Sequence, residues 1–257
     1  MNVDSGNSHA SSSGPAFPQS PGAGVFATTH WSVVLSALDK ESKISADALE
    51  QLCRVYWYPL YAYARRVTNN PSDAEDLTQG FFAKLLQKDY LRSAARDKGR
   101  FRTFLLTALQ RFMANEWDRK HAQKRGGFTP AISIDSEIAE ERFASETAHT
   151  LAPDRLFDRH WALALLEQTM TQLREEYVAS GRAALFEHLQ NCLTQNEGSL
   201  PYTAIATRLS STEAAVKMAM SRLRARYREV LNAQIAQTVT SEAEVEDEVQ
   251  HLFSAFS

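Results

Sequence analysis

Cysteine is scarce in this chain. The two present among 257 residues, Cys53 and Cys192, lack any paired metal spacing and read as reduced residues on buried helix faces of a cytoplasmic protein. The seven histidines are scattered, with no His-x-x-x-His pair and none near a cysteine in a ligand pattern, so no metal site and no cofactor is expected. A glycine-rich phosphate loop and a nucleophile-elbow motif are also missing, which leaves an enzyme active site without support. No apolar run approaches membrane-spanning length, and no membrane partner is expected. β-Hairpin signals are absent. What is present is helical periodicity, and it predicts an all-α fold of two helical domains joined by an acidic linker, the second ending in a helix-turn-helix.

The stretch Leu200–Leu231, LPYTAIATRLSSTEAAVKMAMSRLRARYREVL, carries most of the functional signal. Ile205, Ala206 and Leu209 line one face of a short helix from Tyr202 to Leu209, which ends at Ser210-Ser211-Thr212. Thr212 is placed to cap the next helix, with Glu213 in its first turn where a negative charge suits the dipole. In that helix Val216, Met220, Leu223 and Tyr227 form a buried stripe, and Lys217, Ser221, Arg224 and Arg228 follow the same spacing one residue later. Lys217 to Arg228 holds five basic residues, Arg222 and Arg226 completing the set, and no acid. A cationic face on a lone helix is usually just solvated surface. On the second helix of a helix-turn-helix it predicts DNA binding.

Three further segments belong to the first half. Ala46–Thr68 places Leu49, Leu52, Cys53, Tyr56, Leu60, Tyr63, Ala64 and Val67 on one stripe, interrupted by Pro59, which predicts a kinked or split helix. Pro71–Gln87, PSDAEDLTQGFFAKLLQ, opens with Pro71 and a Ser72-x-x-Glu75 capping box. It continues as a helix with Leu77, Phe81, Phe82, Leu85 and Leu86 as apolar positions and Asp76 and Gln79 on the polar side. Gly99–Gly127 then buries Phe101, Phe104, Leu105, Ala108 and Phe112, a spacing that favours core packing over base stacking. For Trp117, off that stripe, stacking and packing are both open. From Arg92 to Arg125 ten basic residues stand against three acids, in a chain whose net charge is only −3. Such segregation is the footprint of a phosphate-binding surface.

The run AIATRLSSTEAAVKMAMSRLRARYREVL resembles the promoter-binding carboxy-terminal domain of bacterial RNA polymerase sigma factors of the extracytoplasmic-function (ECF) group, within the sigma-70 family. Ser210 departs from the glycine common there, which predicts a more open turn. PSDAEDLTQGFFAKLLQ resembles the core-binding helix of the same family's amino-terminal domain. The resemblance implies that Asp76, Gln79 and Phe82 contact core RNA polymerase; in its absence Asp73, Glu75 and Asp76 would only favour the helix start. It further implies that Lys98, Gly99, Arg100, Arg102 and Thr103, with Asn115, Trp117, Arg119 and Lys120 farther along, recognise and melt the minus-ten element, where a flipped base needs a pocket and the strand needs cations. Thr212, Glu213, Lys217, Ser221, Arg222, Arg224 and Arg228 would face the minus-thirty-five element. Promoter DNA, duplex and melted, and core polymerase are the implied partners, with an anti-sigma factor or other regulator as a further one.

The resulting domain scheme is a disordered tail over 1–24, a region-2-like domain over 25–127, a linker over 128–154, a region-4-like domain over 155–232 and an acidic extension over 233–257. The tail has six serines, four glycines and three prolines and is not a secretion signal. After it, TTHWSVVLSAL places Trp31, Val34, Leu35 and Leu38 on a short helix expected to dock on the first domain. The linker shows little periodicity until Arg155. Leu163, Leu166, Met170, Leu173 and Tyr177, then Leu185, Phe186, Leu189 and Leu193, predict two helices beneath the helix-turn-helix. Thr240–Ser257 combines five acids (Glu242, Glu244, Glu246, Asp247, Glu248) with a stripe of Val245, Val249, Leu252, Phe253 and Phe256. Two readings of this docked helix stay open: it completes the second domain's core, or it screens a cationic surface of either DNA-binding domain. For the whole chain the expectation is a sigma factor directing RNA polymerase to promoters. The alternative is an autonomous helix-turn-helix regulator with an amino-terminal dimerisation or sensing module; a scaffold that binds no nucleic acid leaves both basic segments unexplained.

Overall fold

The computed structural model describes residues 44–85, 100–122, 136–145, 151–194, 201–239 and 241–257. The helix expected around Trp31, together with Leu86, Lys98 and Gly99, lies outside them. The described residues are all-α, with no strand. In chain order the helices are α1 (Ile44–Thr68), α2 (Pro71–Leu85), α3 (Phe101–Ala122), α4 (Ser136–Ser145), α5 (Pro153–Ala179), α6 (Ala183–Leu189), α7 (Asn191–Thr194), α8 (Tyr202–Arg208), α9 (Glu213–Ala236) and α10 (Ala243–Ser254).

α1 runs as one helix through Pro59, so the chain is not split there. Proline removes one backbone donor, but fully buried Tyr56, Leu60 and Tyr61 grip the helix on both sides of the missing bond. The start of α2 also differs from expectation. Pro71 is its first residue, so the capping position falls on Asn70, whose Oδ1 accepts the Asp73 amide at 3.2 Å. Ser72 lies inside the helix, exposed. α2 and α3 meet where Gly80 faces Phe112; a Cβ at Gly80 would stand 3.2 Å from the Phe112 ring, tighter than ordinary contact.

Among the described residues two large hydrophobic clusters form, beside a small third one of Ala62, Phe143 and Leu156. The larger joins Tyr56 and Leu60 of α1, Phe81 and Leu85 of α2, and Phe101, Leu105 and Leu109 of α3 to residues from much later in the chain. Those are Phe157, Trp161 and Leu165 of α5, Leu231 and Ile235 of α9, Leu252 of α10, and Ala255 just after it. The smaller gathers Leu173 and Tyr177 of α5, Phe186 and Leu189 of α6, Ile205 of α8, and Val216, Met220, Leu223 and Val230 of α9. Thus α5 and α9 each pass through both cores, and Tyr227 touches both. Between the cores Thr169 is fully buried, its hydroxyl 2.8 Å from the Leu165 carbonyl and 2.9 Å from Gln234 Oε1. Leu165 and Thr169 therefore occupy the buried face of α5 where Leu166 and Met170 were expected; those two are only partly buried.

The segment expected to be an aperiodic linker contains α4, which docks on α1. Ala139 and Phe143, one helical turn apart, are buried, and Arg65 lies over the Phe143 ring at 5.1 Å. Tyr61 donates to Glu140 at 2.7 Å and Arg65 pairs with it at 3.0 Å. Burial of Glu140 pushes its carboxyl up, but the bonds from Arg65 and Tyr61 outweigh this and hold it below the usual range. Tyr61, desolvated and bonded to that carboxylate, has its hydroxyl pushed up.

α10 departs most instructively. Its buried positions are Glu248 and Leu252, with Ala255 just past its end, while Phe253 is 57 % exposed and Phe256 36 %. The helix is therefore rotated relative to the expected stripe, with a carboxylate on the inward face.

Candidate nucleic-acid interface

α8 and α9 meet through a tight turn. Ser210 has φ of +49°, the left-handed region, and the turn is closed: the Ser211 amide bonds the Ala206 carbonyl at 2.9 Å and the Ser210 amide that of Thr207 at 3.2 Å. These two bonds form a Schellman motif, so the more open turn expected from a non-glycine residue is not found. The serine accepts its steric cost because the pair of backbone bonds fixes the conformation. Thr212 then caps α9 as expected, its hydroxyl oxygen accepting the Ala215 amide at 3.2 Å.

Val216, Met220 and Leu223 are buried, which leaves Lys217, Ser221, Arg224 and Arg228 on the exposed side of α9. With Tyr202 and Met220 these four line an open cleft of about 280 Å³. Lys217 pairs with Glu213 at 2.6 Å, and that bond pushes its ammonium pKa up. Arg222 is exposed, its Nη2 3.4 Å from Met218 Sδ. Arg226 turns away: it makes a forked bond to Glu176, both distances 2.8 Å, and a third contact to Glu229 at 2.9 Å. Those bonds hold Glu176 below the usual carboxylate range and push Arg226 up. Arg224 and Arg228 have no carboxylate within ion-pair distance among the described residues, so their charge faces solvent.

The first basic segment is arranged differently. Arg102 is 7 % exposed; its Nε lies 2.6 Å from Glu248 Oε1, its Nη1 2.9 Å from Asp158 Oδ1, and its guanidinium stands 5.0 Å from the Trp161 ring. Arg100 Nη1 lies 3.2 Å from Glu248 Oε2. In this arrangement Arg102 is not available to a nucleic acid, contrary to its expected place on the surface. Thr103, Asn115 and Arg119 are exposed, Arg119 pairing with Glu116 at 2.9 Å. Trp117 is 53 % exposed, while Phe101 and Phe112 are buried in the core. Arg111, Asn115 and Arg119 form one exposed row at four-residue steps, Arg111 being a member not among the expected DNA-facing residues.

On α2, Asp76 and Gln79 are half-buried, and Gln79 Nε2 donates to Glu75 Oε1 at 2.9 Å. Phe82 is 5 % exposed and stacks edgewise on Phe81 at 5.8 Å, so it supports the surface and does not form it. Among the described residues no cluster of His, Cys, Asp or Glu could hold a metal, and no helix is long and apolar enough to cross a membrane.

Residues 56–123, which span most of α1, α2 and α3, match the family model for Sigma-70 region 2. The match covers about a quarter of the chain. It supports a sigma-70 family sigma factor, a non-enzymatic role in promoter recognition, and interaction with core RNA polymerase. No curated protein and no solved structure matches the chain.

Proposed function

We propose that this chain is a sigma factor of the ECF group that directs core RNA polymerase to its promoters through two DNA-facing surfaces. The observation that carries the reading is the Sigma-70 region 2 match over residues 56–123. The exposed cationic face of α9 supports the second surface. In this reading α8 and α9 are a helix-turn-helix, with α9 entering the major groove of the minus-thirty-five element and presenting Lys217, Ser221, Arg224 and Arg228 to base edges and phosphates. The row Arg111, Asn115 and Arg119 on α3, with Thr103 and Trp117, serves the minus-ten element. Asp76 and Gln79 face the polymerase. Residues 25–127 act as the region-2-like unit, 155–232 as the region-4-like unit, and the partners are core polymerase and promoter DNA.

The deciding experiment is transcription reconstituted from purified core enzyme and genomic promoter fragments, because an autonomous regulator has no need of the core. Replacing Asp76 and Gln79 together by alanine is expected to weaken co-purification with core polymerase while leaving helicity unchanged. Full capture by the folded double variant removes the assignment of this face.

A further inference from the structure

Arg100 and Arg102 flank the start of α3, and both guanidinium groups converge on the carboxylate of Glu248. That carboxylate is fully buried: Oε1 lies 2.6 Å from Arg102 Nε, and Oε2 lies 3.2 Å from Arg100 Nη1 and 3.3 Å from Arg102 Nη2. Asp247 stands 3.8 Å from Arg100, and Asp158 occupies the remaining edge of Arg102 at 2.9 Å. Thr238, in the segment between α9 and α10, closes the arrangement by accepting the Phe101 amide at 2.9 Å. Two oxygens of one anion bridging two arginines is the geometry by which arginine also recognises a phosphate.

We infer that α10 is an intramolecular acidic clasp: Glu248 holds Arg100 and Arg102 in place of a nucleic-acid phosphate, and the free chain offers these two cations to DNA only after α10 has moved away. The inference rests on the reading of α3 as the minus-ten-facing helix. Two properties suit the contact to release. Apolar anchorage is moderate: Leu252 and, just past the helix end, Ala255 are buried, Val245 and Val249 pack against the core while only partly buried, and Phe253 and Phe256 remain largely outside. The ion cluster adds little net hold, because the attraction within a buried pair is largely offset by the loss of hydration. An incoming phosphate restores the same charge balance, so exchange is close to even. The acids of α10 that face solvent, Glu246 and Asp247, additionally repel a nucleic acid backbone from the closed state.

Glu248→Gln in the full chain removes the charge and keeps the shape. Binding of a labelled single-stranded oligonucleotide, followed by fluorescence anisotropy, is expected to be about tenfold tighter for the variant at low salt, because Arg100 and the Glu248-facing edge of Arg102 are returned to phosphate contact while Asp158 keeps the other edge. The advantage should shrink as salt rises. Equal affinities with wild-type helicity overturn the clasp. Should the variant lose helicity, hydrogen exchange on the wild-type chain decides: the Phe101 amide and the α10 amides should lose protection as the oligonucleotide is added, and protection retained at every concentration overturns the inference. Capture of both proteins by core RNA polymerase separates this failure from that of the functional reading. Equal DNA affinity with capture intact removes the clasp alone; absence of capture in both proteins removes the sigma-factor assignment.

Discussion

The two basic segments look alike in sequence and differ in what their charges do. At the start of α3 the guanidinium groups are turned inward: Arg102 is 7 % exposed and shared between Glu248 and Asp158. On α9, Arg224 and Arg228 border an open cleft and face water. A count of basic residues cannot tell these cases apart, because the difference is made by carboxylates far away in the chain. Local charge density therefore identifies a candidate surface, and tertiary partners decide whether it is open.

The contrast is broken most severely at Arg102. Arg102→Ala leaves Glu248 buried beside a single arginine, and chemical denaturation is expected to show a loss of about 3–5 kcal/mol. Arg224→Ala, on the open side, is expected to change stability by no more than about 0.5 kcal/mol. Its effect belongs in binding: affinity for duplex upstream promoter DNA should fall by about 1–3 kcal/mol if the side chain reads a base, and by less, with a shallower salt dependence, if it meets a phosphate. An unchanged affinity and salt slope for both Arg224→Ala and Lys217→Ala would make the α9 face plain solvated surface.

Sequence periodicity located the long helices whose buried residues form an apolar stripe; short α4, with only Ala139 and Phe143 buried, escaped it. Val216, Met220, Leu223, Phe101 and Phe112 were all legible as core because three- and four-residue spacing and hydrophobicity agreed. Glu248 was not legible, since a lone glutamate among acids reads as solvent-facing, and only the arrival of Arg100 and Arg102 from nearly 150 positions earlier makes its burial tolerable. The same cause hid the docked face of α4, whose ion pair between Glu140 and Arg65 is formed across the fold. Phe82 is the opposite case: the resemblance implies a contact with polymerase, and in this chain the side chain is buried. At the start of α2 the Ser72-x-x-Glu75 pattern points to one cap and Pro71 at the first helical position to another, Asn70, which is the one that forms.

A finer comparison sets two turns against each other. After α5 the chain turns at Gly181, with φ of +70°, through the same pair of backbone bonds that Ser210 uses after α8. Ser210→Gly relieves the left-handed strain at the cost of a more flexible unfolded chain, and a net stabilisation of about 0.5–1 kcal/mol is expected in thermal or chemical unfolding. Smallest of all are the surface pairs of Glu140 and Glu176. Each has a folded-state pKa below its ordinary value, so each supports the fold above the ordinary glutamate pKa of about 4.3 and loses that support as pH falls through the lowered value. Carboxylate NMR titration should show both midpoints below that of an unpaired glutamate; ordinary midpoints would mean that Arg65 and Arg226 do not hold them in solution.

The passage of α5 and α9 through both cores gears the two halves of the molecule together. The 27 residues of α5 span roughly 40 Å as one rod. Turning one end of such a rod turns the other, so the cationic cleft of α9 and the arginines of α3 cannot be reoriented separately while both rods are straight. α10 packs in the same cluster as the Leu231–Ile235 end of α9, so the helix that carries Lys217 and Arg224 has α10 as a neighbour at its far end.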